Sequence, residues 1–279
     1  MPDKTMPHQT TTHQTDNPEP LIDIGANLTH ACFISDIPAV VSRAKAAGLV
    51  QVMVTGASLQ GSQQAAQLAQ QHPGYLWASA GIHPHHADEA NAAALRLIAE
   101  LLAQPEVKAV GETGLDFFRD LCPRAQQVSA FEAHIELAID LQMPMFLHER
   151  DASKTFIEVL SPYRDRLPKV VVHCFTGEAA ALHSYLDMDC HIGITGWLCD
   201  ERRGTHLIPL VADIPADRLM IETDAPYLMP RNIRPKPNNR HNQPHFLSYV
   251  CQAVADARGV DYASVAAMTT ANAKAFYQL

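Results

Sequence analysis

Residues 169–175 read KVVVHCF, a short, largely apolar run in which a histidine follows three valines. A continuous apolar run of this length is typical of a strand buried on both faces, as in a parallel sheet. Seven further runs of this kind are spaced along the chain, at 21–25, 49–56, 75–81, 107–112, 143–148, 190–196 and 218–223. The sequence therefore predicts eight buried strands.

Longer segments with helical periodicity separate these runs, and several begin with Ser, Asp or Asn as a cap. They include 35–48, 58–71, 91–104 and 124–142, and two closing helices are expected near 244–258 and 261–277. Strands that alternate with helices indicate a parallel sheet, and eight such units predict a single-domain TIM-type (β/α)8 barrel over residues 20–279. A doubly wound sheet is the alternative.

Composition predicts a globular protein with one local exception. The chain has 279 residues, 47% of them hydrophobic and 18% charged. Residues 1–19 are rich in Thr, Gln, Pro and His, which predicts a disordered N-terminal tail. They lack the apolar region of a signal peptide, and no run is long enough to cross a bilayer, so we expect a cytoplasmic protein without membrane contact. Six cysteines without a C-x-x-C pair indicate free thiols.

The charge balance limits how the chain can bind nucleic acid. A net charge of −9 argues against broad wrapping of a polyanion by a basic surface. Residues 231–240, RNIRPKPNNR, nevertheless hold four cationic side chains and no acid, and Arg202 with Arg203 form a second small cluster. These clusters suit phosphate groups. The alternative is a solvated, proline-rich loop. No obligate protein partner is inferred.

Polar residues gather near the carboxyl ends of the predicted strands. They are Asp23, His83, His85, Glu112, His148, His173 with Cys174, Thr195, Glu222 and Asp224. Parallel barrel strands all end on one face, so we expect these side chains to converge. Taken singly, each has a structural alternative as a core histidine, an ion pair or a turn cap. Together, the imidazoles and carboxylates form the ligand set expected of a divalent metal, which indicates hydrolysis.

The His83-Pro84-His85 segment and Tyr227 suit substrate contact. We favour contacts between the two histidines and substrate phosphates over metal ligation, with a simple turn as a third interpretation. Tyr227 and the basic segment follow Asp224 directly, so an aromatic ring and cations lie beside a carboxylate. Unpaired bases and phosphates bind to such combinations.

Five long motifs carry a family resemblance. They are GETGLDF (111–117), PMFLHERDA (144–152), VVHCFTG (171–177), GITGWLCDERRG (193–204) and LVADIPADRLMIETDAPYLMPR (210–231). The chain resembles the TatD family of metal-dependent deoxyribonucleases, within the amidohydrolase-like barrels, from Leu21 essentially to the C-terminus. The resemblance implies a TIM barrel and a Mg²⁺-supported nuclease that acts from the 3′ end of single-stranded DNA, with RNA as a second substrate and DNA repair as the process.

The same resemblance implies roles for individual residues. The metal ligands would be Glu112, His148, His173 and Asp224. Asp224 would also activate the attacking water, and Glu112 would bridge two ions where two are present, so both are expected to be catalytic. The expected substrate contacts are His83, His85, Arg150, Tyr227 and Arg231.

The chain departs from the family pattern near its first strand. Most of the family begins with D-x-H-x-H, whose histidines hold one ion of a two-metal site, whereas this chain has Gly25 and Asn27 at those positions. Glycine offers no ligand and asparagine only a neutral oxygen, so we expect one tight site and a weak second site. Asp23 matches the leading acid, but neither Asp23 nor Asn27 is assigned a firm role. Mg²⁺ is the expected working ion, with Mn²⁺ and Zn²⁺ as alternatives.

Two other functions stay open at this point. One is a metal-dependent ester or amide hydrolase, such as a deacylase of aminoacylated tRNA. The other is a catalytically weak nucleic-acid-binding or quality-control protein that retains the barrel. Convergence of Glu112, His173 and Asp224 would favour an enzyme, whereas side chains that point apart would contradict both enzymatic interpretations.

Overall fold

The structure, a computed structural model, describes residues 19–279, so the tail expected at 1–19 lies outside the described residues except for Glu19. Eight strands form one sheet in chain order, and each strand is parallel to the next. The strands are β1 (Leu21–Ala26), β2 (Leu49–Val54), β3 (Leu76–Ala80), β4 (Val107–Asp116), β5 (Met145–Arg150), β6 (Val170–Val172), β7 (His191–Ile194) and β8 (Leu219–Ile221). Each predicted apolar run overlaps one of them, and β1, β4 and β5 extend beyond the predicted ends.

Helices follow the strands and cover the outside of the sheet. They are α1 (Ile37–Ala46), α2 (Leu59–Gln71), α3 (Ala92–Leu102), α4 (Arg124–Leu141), α5 (Ser153–Leu160), α6 (Ala179–Asp187), α7 (Leu207–Asp213), α8 (Leu247–Arg258) and α9 (Tyr262–Tyr277). Short 3₁₀ segments lie at Pro84–Glu89, Ser161–Arg166 and Pro244–Phe246. The strand order never reverses, so the TIM-type barrel is confirmed over the doubly wound alternative. In the part of the chain that the structure describes, no helix is long and apolar enough to span a membrane.

Side-chain caps begin some of the predicted helices but not all. The Ser58 hydroxyl accepts the Gly61 N–H at the start of α2, and Asn91 caps α3 in the same way. At α1 the N-cap residue, Asp36, makes no such bond, and its carboxylate instead binds the guanidinium of Arg43, two helical turns along the same face. The cap signal therefore located the helix start correctly even where an ion pair replaced the cap.

The interior of the barrel is filled by side chains rather than open. Apolar residues from six strands meet there, and the end of α9 covers this cluster with Phe276 and Tyr277. A second, larger core lies between the strands and the surrounding helices. Trp77, near the start of β3, packs against the inner cluster. The amino end of the barrel is thus closed by α9, which leaves the carboxyl end for function.

β4 is the longest strand, and two glycines let it lie close to β5. Gly111 and Gly114 have φ values of 136° and 139°. A Cβ at Gly111 would lie 2.1 Å from the carbonyl oxygen of Phe146, and one at Gly114 would lie 2.0 Å from that of His148. Only glycine permits this approach. β4 consequently runs past the expected end at Glu112 and carries a further acid, Asp116, into the rim.

Contacts beyond the end of β8 nearly close the ring. The N–H of Asp224 donates to the carbonyl of Gly25 at 2.8 Å, and the N–H of Asn27 donates to that of Ala225 at 2.7 Å. The proline-rich segment that follows is tied back by Asn242, whose side-chain amide donates to the Thr223 carbonyl at 2.8 Å. The first and last strands are therefore joined at the carboxyl rim, where the polar residues lie.

Candidate active site

The carboxylate of Glu112 lies among imidazoles at the carboxyl ends of β3 to β6. Its Oε1 atom is 2.8 Å from Nε2 of His173, 3.2 Å from Nδ1 of His148 and 3.4 Å from Nε2 of His83. Glu112 is only 6% exposed, so protein groups rather than bulk water must stabilise its charge. Glu112 and His173 therefore meet, and they are two of the three side chains whose convergence the enzymatic interpretations require.

The charges in this cluster follow from its contacts. Burial alone would raise the pKa of the Glu112 carboxyl, but the charges and hydrogen bonds of the surrounding imidazoles hold it well below its usual range. Burial opposes protonation of His173, yet Glu222 and Glu112 outweigh burial and raise its pKa well above the usual value. Burial holds the pKa of His83 well below the usual value despite Glu112. Burial also opposes protonation of His148, but Asp116 and Glu112 raise its pKa. Positive charge beside Glu112 is therefore favoured on His173 and His148 and disfavoured on His83.

Three side chains of the cluster can hold a metal ion. His83, Glu112 and His148 each direct a donor atom into the same space, and the three atoms lie within 4.8 Å of one another. Two imidazole nitrogens and one carboxylate oxygen suit a divalent cation. Among residues 19–279, the buried Nε2 of His148 makes no hydrogen bond of good geometry, since Oδ2 of Asp116 lies 3.5 Å away, and this leaves the nitrogen open to a ligand. The residues present therefore fit a divalent metal.

This group overlaps with the expected ligand set without matching it. Glu112 and His148 belong to both, whereas His83 was expected to contact substrate and instead lies among the candidate donors. His173 contacts Glu112 directly. Asp224 lies outside the group of three. The individual ligand roles stay predictions.

Asp116, the last residue of β4, is a second buried carboxylate that the sequence interpretation missed. Its Oδ2 is 2.7 Å from Nε2 of His85 and 3.5 Å from Nε2 of His148. Burial would raise the pKa of Asp116, but interactions with the two histidines hold it well below its usual range. The sequence did contain a signal for this residue. Asp116 is four residues beyond Glu112 on one strand, and because alternate residues share a face, the two side chains are expected on the same face.

Glu222 fixes the ring of His173 from the other side. Its Oε2 atom is 3.3 Å from Nδ1 of His173, and its Oε1 accepts the Cys174 N–H at 2.6 Å. The side chain of Glu222 is fully buried. The sequence placed this acid at a strand end but gave it no role. A carboxylate that binds one nitrogen of a histidine orients the other nitrogen toward the site.

Asp224 has a different environment from Glu112. Its Oδ1 atom accepts a hydrogen bond from Nδ2 of Asn27 at 3.2 Å. Burial, together with the charges of Glu112 and Glu222, raises the pKa of Asp224 to about 8, although His173 opposes this. Asp224 thus lies close enough to the cluster to feel its charges while its carboxyl binds protons readily.

Asp23 joins the first and last strands and does not face the candidate metal group. Its Oδ1 accepts the N–H groups of Thr223 at 2.9 Å and Gly25 at 3.2 Å, and its Oδ2 accepts the Thr223 hydroxyl at 2.5 Å. Burial raises the pKa of Asp23 to about 7, and these hydrogen bonds limit the rise. Thr223 was missed, since a threonine between two acids carries no signal of its own in one sequence.

The space beside Gly25 is already occupied. A Cβ at this position would lie 2.3 Å from Oε2 of Glu222 and 2.9 Å from Cζ of Phe146. A histidine there would need both side chains to move. The position that holds a ligand in most of the family therefore offers neither a ligand atom nor room for one.

The expected substrate contacts lie above the cluster in different environments. Arg150 donates from Nη1 to the hydroxyl of Thr176 at 2.8 Å. Tyr227 is 52% exposed. Arg231 binds the carboxylate of Glu201 through two hydrogen bonds of 2.7 and 2.9 Å. A phosphate that contacts Arg231 must therefore compete with Glu201, whereas Tyr227 presents its ring directly to the solvent.

A nearly closed eight-stranded barrel with imidazoles and carboxylates at its carboxyl rim defines a metal-dependent hydrolase. The sequence profile of the family described as TatD related DNase matches residues 22–278. The chain belongs to this family.

Relatives that match nearly the whole chain carry one name. A 3′-5′ ssDNA/RNA exonuclease TatD from Erwinia billingiae is 49% identical over 259 residues, 93% of this chain and 99% of the relative. The protein of that name from Salmonella typhimurium is 45% identical over 259 residues, again 93% of this chain and 99% of the relative.

Solved structures of lower identity share the fold. A TatD homologue from Escherichia coli has a TM-score of 0.84 at 24% identity and covers 93% of this chain and 98% of its own. An amidohydrolase from Saccharomyces cerevisiae has a TM-score of 0.81 at 21% identity, with 93% and 100% covered. At these identities the likeness concerns the barrel alone.

Proposed function

We propose that this chain is a divalent-metal-dependent nuclease that removes nucleotides from the 3′ end of single-stranded DNA and RNA. Relatives 49% and 45% identical over 93% of the chain are named for that activity. The observation that carries the proposal is the convergence of Glu112 with His83 and His148 at the carboxyl rim.

The cation is assigned first to Glu112 and His148, because they belong to both the geometric group and the set implied by resemblance. His83 completes the geometric group, and His173 and Asp224 are the further ligands that the resemblance implies. A divalent cation held there would supply positive charge to the reacting phosphate and lower the pKa of a water molecule. Mg²⁺ is favoured because phosphate adds hard oxygen ligands, although imidazoles bind Zn²⁺ and Mn²⁺ as well.

Asp224 accepts the proton of the attacking water. Asn27 occupies its Oδ1 atom, so the proton goes to Oδ2. Burial and the nearby acids raise the pKa of Asp224, so its carboxylate, once ionised, is a stronger base than an ordinary aspartate. Asp23 and Thr223 hold the neighbouring backbone, which keeps this carboxylate in place during the reaction.

Glu112 and Glu222 hold the imidazole of His173 between them. The ring cannot rotate without breaking one of these contacts, so its orientation in the site is fixed. His85, paired with Asp116, and Tyr227 are assigned to the substrate backbone and the terminal base. A second cation is held weakly, because Gly25 contributes no ligand.

A digestion assay tests this function. A single-stranded DNA oligonucleotide labelled at its 5′ end is incubated with the protein and Mg²⁺, with added chelator, and with Asp224→Asn. We expect a ladder that shortens from the 3′ end and that both chelator and substitution abolish. Glu89→Gln is the matched control, since Glu89 is an exposed acid that pairs with His86 on the rim side of β3, and it should retain the ladder.

Intact DNA in the presence of both Mg²⁺ and Mn²⁺ would contradict the nuclease. Release of the amino acid from aminoacylated tRNA by the same residues would then favour the ester hydrolase. DNA binding without turnover in any metal would favour the catalytically weak binding protein. A role in DNA repair and a cytoplasmic location stay predictions.

A further inference from the structure

Above the metal group, four side chains form an alternating stack of rings and guanidinium groups. The Cζ atom of Arg150 is 5.0 Å from the ring centroid of Phe118 and 5.0 Å from that of Trp197. The Cζ atom of Arg203 is 4.2 Å from the ring centroid of Trp197. We call Phe118, Arg150, Trp197 and Arg203 the stacking column. Arg150 was expected to contact substrate and Arg203 belongs to a cluster expected to suit phosphates, whereas Phe118 and Trp197 were not singled out.

The column lies just beyond the strand ends at the carboxyl rim. Arg150 ends β5, two residues beyond His148, and Phe118 lies in the turn after β4, two residues beyond Asp116. Trp197 lies in the turn after β7. All three side chains therefore belong to the rim that carries the metal group, outside the group itself.

The column is rigid at its centre and open at its ends. Arg150 is fixed by its bond to Thr176, and Arg203 by Nε and Nη2 contacts of 3.0 and 2.9 Å with the buried carboxylate of Asp200. Phe118 is 58% exposed, and the side chain of Arg203 is 53% exposed. Both ends thus present a flat group to solvent, and the arginines lose little freedom when a ligand stacks on them.

Two cavities beside the rim differ in the ligands that they suit. One, of about 280 Å³, is lined by Trp197, Arg202, Arg203 and Arg231, by the carboxylate of Asp200 that pairs with these arginines, and by apolar side chains such as Met229. The other, of about 260 Å³, is lined by neutral polar groups such as Asn27, Thr29, Ser58, Gln60 and Gln64, with His86. Only the first combines an aromatic ring with several guanidinium groups, which is the chemistry of stacked bases and phosphates.

We propose that the stacking column and the adjacent cavity bind the 5′ continuation of the single strand whose 3′ end lies at the metal group. Unpaired bases stack on the outer faces of Phe118 and Arg203, and phosphates contact the guanidinium groups that line the cavity. A nuclease that acts from the 3′ end must hold the rest of the strand outside its metal site, and this side of the rim offers the matching surface. The inference rests on the proposed function and assigns a path to its substrate.

Kinetics with two substrate lengths test the column. One substrate is a single-stranded oligothymidylate, and the other is thymidine 5′-(p-nitrophenyl phosphate), which has one base only. We expect Phe118→Ala to raise KM for the oligonucleotide roughly tenfold with kcat little changed, because one stacked base is lost. The ratio of kcat/KM between long and short substrates should fall by the same factor. Phe118→Tyr should restore it, since the ring is kept.

Leu121→Ala is the matched control. Leu121 is 65% exposed and lies three residues beyond Phe118, so its truncation removes a similar apolar surface without removing a ring. It should leave the ratio unchanged. A ratio that Phe118→Ala also leaves unchanged, or that Leu121→Ala lowers equally, would overturn the proposal.

Tryptophan fluorescence tests the column without turnover. The chain has two tryptophans, and Trp77 lies at the opposite end of the barrel with the Lys108 amine 4.6 Å from its ring centroid. In Trp77→Phe, treated with chelator, oligothymidylate should change the emission of Trp197 in a saturable way. In Trp197→Phe, the emission of Trp77 should not change.

The digestion kinetics and the fluorescence titration together distinguish failure of the proposed nuclease function from failure of the stacking column. Wild-type protein that leaves DNA intact would refute the nuclease, yet the emission of Trp197 would still decide whether the column binds a single strand. Efficient digestion with no emission change and no effect of Phe118→Ala would refute the column and leave the nuclease in place.

Discussion

The two sides of the barrel rim give buried carboxyl groups opposite properties. The imidazole side consists of residues from β3 to β5, namely His83, His85, Glu112, Asp116 and His148. The carboxylate side consists of acids from β1 and the end of β8, namely Asp23, Glu222 and Asp224. Imidazoles hold the pKa of Glu112 well below its usual range, whereas burial and nearby acids raise that of Asp224 to about 8.

The difference teaches that burial does not by itself set the charge of a carboxyl group. Burial favours the neutral acid on both sides, and the sign of the neighbouring charges decides the outcome. A permanently ionised group suits a metal ligand, and a group that binds protons readily suits a base. The two sides of the rim therefore suit two different steps of one hydrolysis.

The largest expected effect comes from breaking the imidazole side at its centre. Glu112→Gln keeps the shape of the side chain but removes the charge that His83, His148 and His173 surround. We expect a loss of nuclease activity of roughly 10⁴-fold, about 5 kcal/mol of transition-state stabilisation. Divalent-metal affinity should fall as well, as measured by calorimetric titration with Mn²⁺. Unchanged metal affinity would place the cation elsewhere.

A substitution on the carboxylate side should reduce nuclease activity much more than it reduces metal affinity. Asp224→Asn removes the proposed base without touching the group of His83, Glu112 and His148. We expect activity to fall roughly 10³-fold, about 4 kcal/mol, while the Mn²⁺ affinity of that group falls far less than in Glu112→Gln. Equal losses of metal affinity in the two variants would mean that Asp224 is a principal ligand, as the resemblance alone implied.

The sequence predicts the barrel and the residues at its rim, but it does not predict the contacts that make the two sides of the rim different. Eight apolar runs and the helical segments between them predict the barrel, because strand period and chain order are local properties. Strand ends then place Glu112, His148, His173 and Asp224 at one rim. Which acid meets which imidazole depends on side-chain packing across strands, so the contacts of Asp116 and Glu222 were not predicted.

A third prediction concerns the helix that supports the imidazole side. His134 of α4 accepts the Ile82 N–H at Nε2, 3.1 Å away, and donates from Nδ1 to the Ala130 carbonyl at 2.7 Å. Both bonds need the neutral ring, since a proton on Nε2 would face the N–H of Ile82. Burial accordingly lowers the pKa of His134 from 6.5 to about 4.

This lowered pKa makes stability depend on pH. The unfolded chain binds the proton more readily, so falling pH favours unfolding. The neutral His134 ring contributes about 3 kcal/mol to the free energy of unfolding. This contribution is fully present above pH 6.5 and is lost as the pH falls toward 4. Urea unfolding of wild-type protein and His134→Gln, both without metal, measures it. The stability difference between the two should shrink across this range, and a constant difference would contradict the assignment.

The smallest effect is expected at the hydrogen bonds beneath the carboxylate side. Thr223→Val removes the hydroxyl that binds Oδ2 of Asp23 but keeps the backbone bonds to Oδ1. A fully buried acid then loses one of its partners, which should lower the free energy of unfolding by about 2 kcal/mol. Activity should fall roughly tenfold, because Thr223 holds the backbone of Asp224 indirectly.

Thr223→Ser separates the hydroxyl from the methyl group of this side chain. The serine hydroxyl can still donate to Asp23, so stability and activity should both stay near the wild-type values, as measured by urea unfolding and the digestion assay. If serine and valine were equally harmful, packing of the methyl group rather than the hydrogen bond would hold the strands together. Asp23 would then be a buried acid without influence on Asp224, and the carboxylate side would depend on Glu222 alone.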